Sequence, residues 1–354
     1  MLKASSESER FNIIAQSGTA PQKVWMDKPK ITVRGNGSRP PNLVALQNRA
    51  KKKMITQRIM QELMPIALRK GEFERYYSYQ NAFGCQCQIY TANGRMYGIY
   101  CKTRFCEICL GNRRGEKSSK YLPVIRLWPC QQFLTLTLKS VPGDQLHERV
   151  NEMIGAFETI REKLKKRHQR GKGMKIMGVR SLESNFNPTY RTYNPHFHLI
   201  LPDLPTAITL QTEWINYWGD VRICEPEAQK NKTINNISWQ LRETIKYGTK
   251  FLTKERIDWK TGEVIPKLIC VAAIDNIFSA MKNHRLFDRF GFDLPKPEKQ
   301  EAGKFTSLTE FREWNYTYEN FDWVDEVNRE RISRFTPPPK LIIDLETNIN
   351  RDLE

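Results

Sequence analysis

No uncharged apolar run in the 354 residues approaches the ~20 needed to cross a bilayer as a helix, so a membrane-spanning helix is excluded. The amino terminus, MLKASSESERFNIIAQSG, lacks the continuous apolar stretch of a secretory signal, and a cytoplasmic location is expected. Glycine and proline, at 19 each, are too few for a collagenous chain, and aromatics at 11% are too many for a wholly disordered one. Acidic residues are scarce beside basic ones: 39 Asp+Glu against 57 Lys+Arg leave a formal charge of +18. That excess points to a polyanion, because Lys and Arg release counterions from a phosphate backbone whatever its sequence.

The 8 cysteines are unevenly spread. Cys130, Cys224 and Cys270 stand alone beside apolar residues and are expected as buried thiols. The other five crowd into CQCQIYTANGRMYGIYCKTRFCEIC, where Cys101, Cys106 and Cys109 form C-x4-C-x2-C and Cys85 and Cys87 lie upstream. In a reducing compartment such a cluster reads as a structural Zn²⁺ site rather than disulfides. Tetrahedral zinc needs four ligands, so Cys85 or Cys87 is the fourth. The competing reading is a set of reduced structural thiols.

The pattern predicts a basic arm and helix over 1–72, a cysteine-rich zinc-ribbon-like module over 73–118, a catalytic domain over 119–295 and an acidic, aromatic tail over 296–354. Residues 1–41 read as a flexible arm. A helix from about Asn42 to Leu68 carries Arg49, Lys51, Lys52 and Lys53, either a solvated face or a DNA contact. FLTLTLK alternates, with Leu134, Leu136 and Leu138 on one side and Thr135 and Thr137 on the other. A helix capped by Asp144 then runs to about Arg170, with Gly171 as its stop. Its last turns carry Lys163, Lys165, Lys166 and Arg167, which suit a helix C-terminus and could touch phosphate. Two strands follow, MKIMGVRSLES and NPHFHLIL, then helices over about Ala207–Trp218 and Ile237–Leu252. The expected fold is α+β, helices packed on an antiparallel sheet.

His196-Phe197-His198 lies in an apolar strand, so both imidazoles share one face and could hold one ion. If the two strands pair, Glu183 could reach them. Two His and one carboxylate leave open positions and suit Mg²⁺ or Mn²⁺. In LRETIKYGTK, Glu243, Tyr247 and Lys250 stand at i, i+4 and i+7 on one helix face, opposite Ile237, Leu241, Ile245 and Leu252. A tyrosine between a carboxylate and an ammonium is a candidate phosphoryl-transfer nucleophile. The bland readings are surface histidines, a strand-end carboxylate and a surface tyrosine beside an ion pair. Arg113, Arg114, Thr135 and Thr137 are the candidate DNA contacts.

With these residues the chain resembles, over about 73–293, the plasmid rolling-circle replication initiators of the HUH endonuclease superfamily. FLTLT resembles their first motif, NPHFHLIL their His-hydrophobic-His strand, and Glu243, Tyr247 and Lys250 the E-x-x-x-Y-x-x-K form of the third. CKTRFCEIC and AMKNHRLFDRFG are similar to the segments before and after them, although Glu107 stands where that family usually has Pro. The resemblance implies an HUH core that nicks one strand at a plasmid's double-strand origin in bacterial cytoplasm, with host helicase and polymerase as partners. It implies that Tyr247 holds the 5′-phosphate, that His196, His198 and Glu183 bind the divalent ion, that Glu243 activates water for the terminating cleavage, and that Lys250 neutralises phosphate charge. A mobilisation relaxase generally carries its tyrosine before the histidines, whereas Tyr247 follows them. A two-tyrosine transposase would show a second Tyr on the same helix face. A non-catalytic zinc-dependent DNA-binding regulator is the alternative of a different class.

Overall fold

A computed structural model of the chain describes residues 31–34, 37, 42–222, 228–245, 256–257, 264–265, 268–295, 305–308 and 310–351. In chain order the elements begin with β1 (Ile31–Arg34), α1 (Leu43–Arg69), α2 (Phe73–Phe83), β2 (Gln88–Ala92), β3 (Arg95–Gly98), α3 (Glu107–Ile125) and β4 (Gln132–Thr137). Then come α4 (Leu146–Gln169), β5 (Gly178–Asn187), β6 (Thr192–Leu201), α5 (Leu204–Arg222), β7 (Asn231–Thr233) and α6 (Ile237–Thr244). The remainder is β8 (Arg256–Ile257), β9 (Val264–Ile265), β10 (Ile269–Cys270), α7 (Val271–Ala280), β11 (Phe287–Phe290), β12 (Phe305–Leu308), β13 (Arg312–Thr317), β14 (Asp322–Asp325), α8 (Pro339–Thr347) and β15 (Ile349–Asn350). The fold is α+β, as the alternation of strand and helix patterns predicts.

The main sheet has the order β11-β5-β6-β4-β7 among the described residues, antiparallel throughout. Its two faces differ in chemistry. Phe197 points away from His196 and His198 because successive side chains of a strand alternate. Its ring lies 5.3 Å from Phe157 of α4 and 5.9 Å from Trp214 of α5. Leu134, Leu136, Leu182 and Leu199 are buried in the same core. Each such side chain removed from water contributes about 1.5–3 kcal/mol, so this face holds the sheet to α4 and α5. On the histidine-bearing face, α3 covers the β11 edge through Tyr121, 5.2 Å from the Phe287 ring, and α6 packs against α3 and β6.

A second core joins α1, α2, the cysteine segment, α7 and the C-terminal elements. The segment expected as a tail is not one here: β13 pairs with β2, giving a sheet ordered β14-β13-β2-β3. The aromatics explain it. The Trp314 indole N–H donates to Thr91 Oγ1 at 2.9 Å, and that of the fully buried Trp323 donates to the Gln86 carbonyl at 2.6 Å. Near the end of the described chain, Arg351 forms a bidentate pair with Glu62 of α1 at 2.7 and 2.8 Å. Within the expected arm, Ile31–Arg34 pairs with β12. Asp144 lies in a single 3₁₀ turn, so α4 starts at Leu146, one residue later than expected, without a side-chain cap. Gly171 does end it, at φ +69°. Of the lone thiols Cys270 is buried and Cys130 exposed, because Cys130 precedes β4 rather than lying in it; Cys224 is outside the described residues.

One buried carboxylate ties α7 to α1 and α2. Asp275 of α7, with no exposure, accepts from Tyr79 Oη at 2.8 Å and from Lys70 Nζ at 3.1 Å, and pairs with Arg75 Nε at 3.0 Å. Burial and then the Asp275 charge push the Tyr79 phenol well above its ordinary range. Removing one member strands the others in low dielectric. Asp275→Ala is expected to lower unfolding stability by about 3–5 kcal/mol, read from urea denaturation monitored by tryptophan fluorescence.

Candidate nuclease site and metal centres

The register of three strands builds the first site. In β5–β6, Glu183 pairs with His196 and Ser181 with His198; in β4–β6, Thr137 pairs with His196 and Thr135 with His198. Cross-strand partners project from the same face. The imidazole centroids are 4.7 Å apart, and Glu183 Oε2 lies 4.0 Å from His198 Nε2. One ligand atom from each of Glu183, His196 and His198 falls within 4.8 Å of the others. Glu183 and His196 are buried, and the His198 side chain is 19% exposed, so the cluster opens to solvent on one side.

Both rings are held by their other nitrogen. His196 Nδ1–H donates to the Asn194 carbonyl at 2.9 Å. A carbonyl only accepts, so the proton sits on Nδ1 and the Nε2 lone pair is available to a cation. His198 Nδ1 is hydrogen-bonded to the Thr135 hydroxyl at 3.1 Å. Such partners fix ring orientation and raise ligand basicity. The Ser181 hydroxyl, buried beside His198, has no hydrogen-bond partner among the described residues. Two imidazoles, a carboxylate and an unsatisfied hydroxyl fit a divalent ion with open positions.

Thr135 and Thr137, expected as DNA contacts, are engaged within the site. Thr137 bonds Asn194 through its hydroxyl, and its backbone N–H donates to Gln229 Oε1 at 2.8 Å. Sequence reading missed Asn194 and Gln229. The alternation that pairs His196 with His198 also puts Asn194 on their face, two residues earlier. Gln229 carries no local signal, since only the fold brings it to β4. Leu241 of α6 and Ile245, which caps it, are buried in the main core, and Ile237 packs against it. Glu243, on the other side, is partly exposed. Tyr247, Lys250 and Leu252 lie outside the described residues.

The second cluster is Cys85, Cys101, Cys106 and Cys109, with all four Sγ atoms within 4.8 Å of one another. Cys109 Sγ is 3.7 Å from Cys85 Sγ and 3.5 Å from Cys101 Sγ. A tetrahedral ion with Zn–S bonds of ~2.3 Å would hold its sulfurs ~3.8 Å apart, so the spacing fits zinc. The C-x2-C pair sits at the start of α3, where Cys106 is the N-cap and the helix dipole favours negative sulfur. Hydrogen bonds from Cys106 and then Cys109 drive the Cys101 thiol far below its ordinary range, and the same contacts drive Cys106 far above. Four sulfurs this close suit a cation that binds them as thiolates.

The choice left open between Cys85 and Cys87 is decided by backbone. Gln86 has φ +54°, and Cys87 Sγ turns instead to Lys53 Nζ, 3.2 Å away. Lys53 is fully buried and also donates to the carbonyls of Phe83 and Cys85 at 2.6 and 2.7 Å. Arg49 Nη2 donates to Tyr100 Oη at 3.1 Å. Arg49 and Lys53 of the basic run therefore support the cysteine segment, while Lys51 is exposed to solvent. Arg113 donates to the Lys102 carbonyl, and the buried Arg114 Nε has no hydrogen-bond partner among the described residues.

A family profile described as "Replication protein" matches residues 95–292, from the start of β3 to just past β11. The chain belongs to this replication-protein family. It is thereby a plasmid replication initiator of the rolling-circle type that its motifs resemble. A protein named "Protein rep" from Staphylococcus aureus is 32% identical over 179 residues, 46% of this chain and 72% of that protein. Two more of the same name, from Bacillus amyloliquefaciens and a Bacillus species, are 31% and 30% identical over 129 residues. Those alignments span 34% of this chain and only 36% and 40% of the two proteins. No solved structure gives a significant match.

For this initiator, Cys85→Ser is expected to lose the tightly held metal while Cys87→Ser keeps about one ion per chain, measured by elemental analysis after gel filtration. Thr135→Val is expected to weaken divalent-ion affinity at the histidine site by roughly 10–100-fold in a calorimetric titration, the usual cost of losing a ring-orienting partner.

Proposed function

We propose that this initiator nicks and rejoins one strand of its plasmid origin through a covalent 5′-phosphotyrosine at Tyr247. The observation that carries the proposal is the Glu183–His196–His198 cluster, with both rings anchored at Nδ1 and one open side. A divalent ion bound there, Mg²⁺ or Mn²⁺, would supply Lewis-acid polarisation of the scissile phosphate. The Tyr247 phenol oxygen forms a bond to phosphorus, the bond from phosphorus to the 3′-oxygen breaks, and the phenol's proton ends on that oxygen. The product is a 3′-OH primer and a 5′-phosphotyrosine.

Glu243 stands one helical turn before Tyr247 in sequence, placing a base for the later step. In the terminating cleavage it takes a proton from water, the water oxygen bonds to the scissile phosphorus, and the 3′-oxygen leaves with the proton that Glu243 returns. That 3′-OH then attacks the phosphotyrosine, its proton passing to the phenol oxygen, so that the strand is joined and Tyr247 is released. Lys250 neutralises phosphate charge as it is transferred. The four cysteines hold a structural Zn²⁺, since no coordination position is left for substrate. An excess of +18 supplies the sequence-independent part of DNA affinity.

The test is relaxation of supercoiled plasmid carrying the origin. Wild-type protein is expected to leave itself on the 5′ end in Mg²⁺ or Mn²⁺, and Tyr247→Phe to give no adduct. An adduct formed by Tyr247→Phe defeats the proposal. Glu243→Ala is expected to nick normally and to remain attached after termination, seen as persistent protein–DNA bands on a denaturing gel.

A further inference from the structure

Among the described residues β11 is the last strand on its side of the main sheet, and the surface beside it is strongly basic. A groove of about 820 Å³ runs along this edge between α3 and α4. Arg104, Arg113, Lys117, Arg161, Arg285 and Arg289 line it, against the carboxylates Glu116 and Asp288. We propose that this groove is a track for the phosphate backbone of the DNA strand that is cut, holding phosphates beside the one at the histidine cluster. The proposal rests on the nuclease reading above and adds where the strand runs.

Position supports it. Phe287 of β11 pairs with Ser181 of β5, which pairs with His198 of β6. The groove is thus two strand spacings from the histidines, ~10 Å, or about three nucleotides at B-form rise. Charge supports it as well. Asp288 pairs with Arg285 at 3.2 Å, but the six lining cations outnumber the two lining carboxylates, so the groove keeps a positive excess. The Lys117 ammonium sits 4.7 Å over the Phe287 ring, held between burial and the Arg113 and Lys120 charges, which lower its proton affinity. A phosphate in the groove relieves that repulsion.

The same sign of charge can serve another purpose, since cations on an edge strand block edge-to-edge aggregation. The distribution speaks against that role here. Arg104 comes from the loop between Cys101 and Cys106, Arg113 and Lys117 from α3, and Arg161 from α4. Guarding the strand requires charge on the strand alone. The loop's Arg104 also donates to the Met281 carbonyl at 3.1 Å, so the cysteine cluster holds one wall of the groove. Ion pairing is common to both basic surfaces: in the groove Arg161 pairs with Glu158 at 2.8 Å and Arg289 with Asp293 at 3.7 Å, and the end of α4, which does not line the groove, is paired too. There Lys163 and Arg167 both pair with Glu213, at 2.6 and 3.0 Å, and Lys165 pairs with Glu162 at 3.4 Å.

The experiment measures binding of the full chain to a labelled single-stranded oligonucleotide of arbitrary sequence across a salt series. Arg285→Ala/Arg289→Ala is expected to flatten the slope of log affinity against log salt by about 1.4, the value for two phosphate contacts on a single strand. Arg285→Lys/Arg289→Lys should restore it. The charge-matched Lys166→Ala/Arg170→Ala variant, altered at the exposed end of α4, should leave the slope unchanged. An unchanged slope in Arg285→Ala/Arg289→Ala, or one equal to the Lys166→Ala/Arg170→Ala value, overturns the track. So does aggregation of the groove variant with unaltered affinity in its soluble fraction, which returns the cations to guarding the edge. Arg285→Ala alone, at a side chain 76% exposed, provides a variant whose folding is not at issue. The slope does not depend on cleavage, so failure of the track and failure of the nuclease reading, seen as no adduct with wild-type protein, are separate results.

Discussion

The register of β6 between β5 and β4 is the constraint on which the histidine site depends. A slip of one residue would turn His196 and His198 into the core and send Phe197 to solvent. What prevents it is chemistry on the opposite face. Phe197 lies against Phe157 and Trp214, and Leu134, Leu136 and Leu199 are closed off from water around them. Exposing such a set costs several kcal/mol, far more than any single hydrogen bond on the polar side returns. The apolar core thus sets the position of the polar cluster, and Thr135 and Asn194 then refine the ring orientations.

The cysteine cluster belongs to a different core with a related logic. Four sulfurs gather because α3 begins at Cys106 and because a left-handed Gln86 separates Cys85 from Cys87. The surrounding elements come from distant parts of the chain, with α1, β13 and β14 around it, and α7, held to α2 through Asp275, reaching the main core through Ala273 and Ile277. Buried Lys53 satisfies two carbonyls of the turn that presents Cys85. One lysine of a basic run in the sequence becomes, in the fold, part of the scaffold of the cysteine cluster.

Much of this was legible from residue order. Alternation in FLTLTLK and NPHFHLIL identified the two strands and put both imidazoles on one face, because side chains along a strand repeat every two residues. The three- and four-residue steps of Leu146, Val150, Met153, Phe157, Ile160 and Leu164 identified α4, and all six side chains are buried. Spacing also gathered Cys101, Cys106 and Cys109. What was missed depends on partners far along the chain. Trp314 and Trp323 looked like part of a tail, since nothing local says that β2 will accept a third strand. Asp144 looked like a cap, although the chain inserts a 3₁₀ turn before α4.

By itself, then, the order of amino acids determined the chemistry available: two imidazoles on one strand face, a cysteine triple at ligand spacing, and a large positive charge. Periodicity and spacing are local properties, and local sterics enforce them. Only the tertiary structure decided which carboxylate meets the imidazoles, which of two cysteines completes the sulfur cluster, and how cations from several elements converge on the β11 edge. Those outcomes turn on contacts between residues tens to hundreds of positions apart, and burial of apolar surface selects such contacts without leaving a pattern in the adjacent sequence.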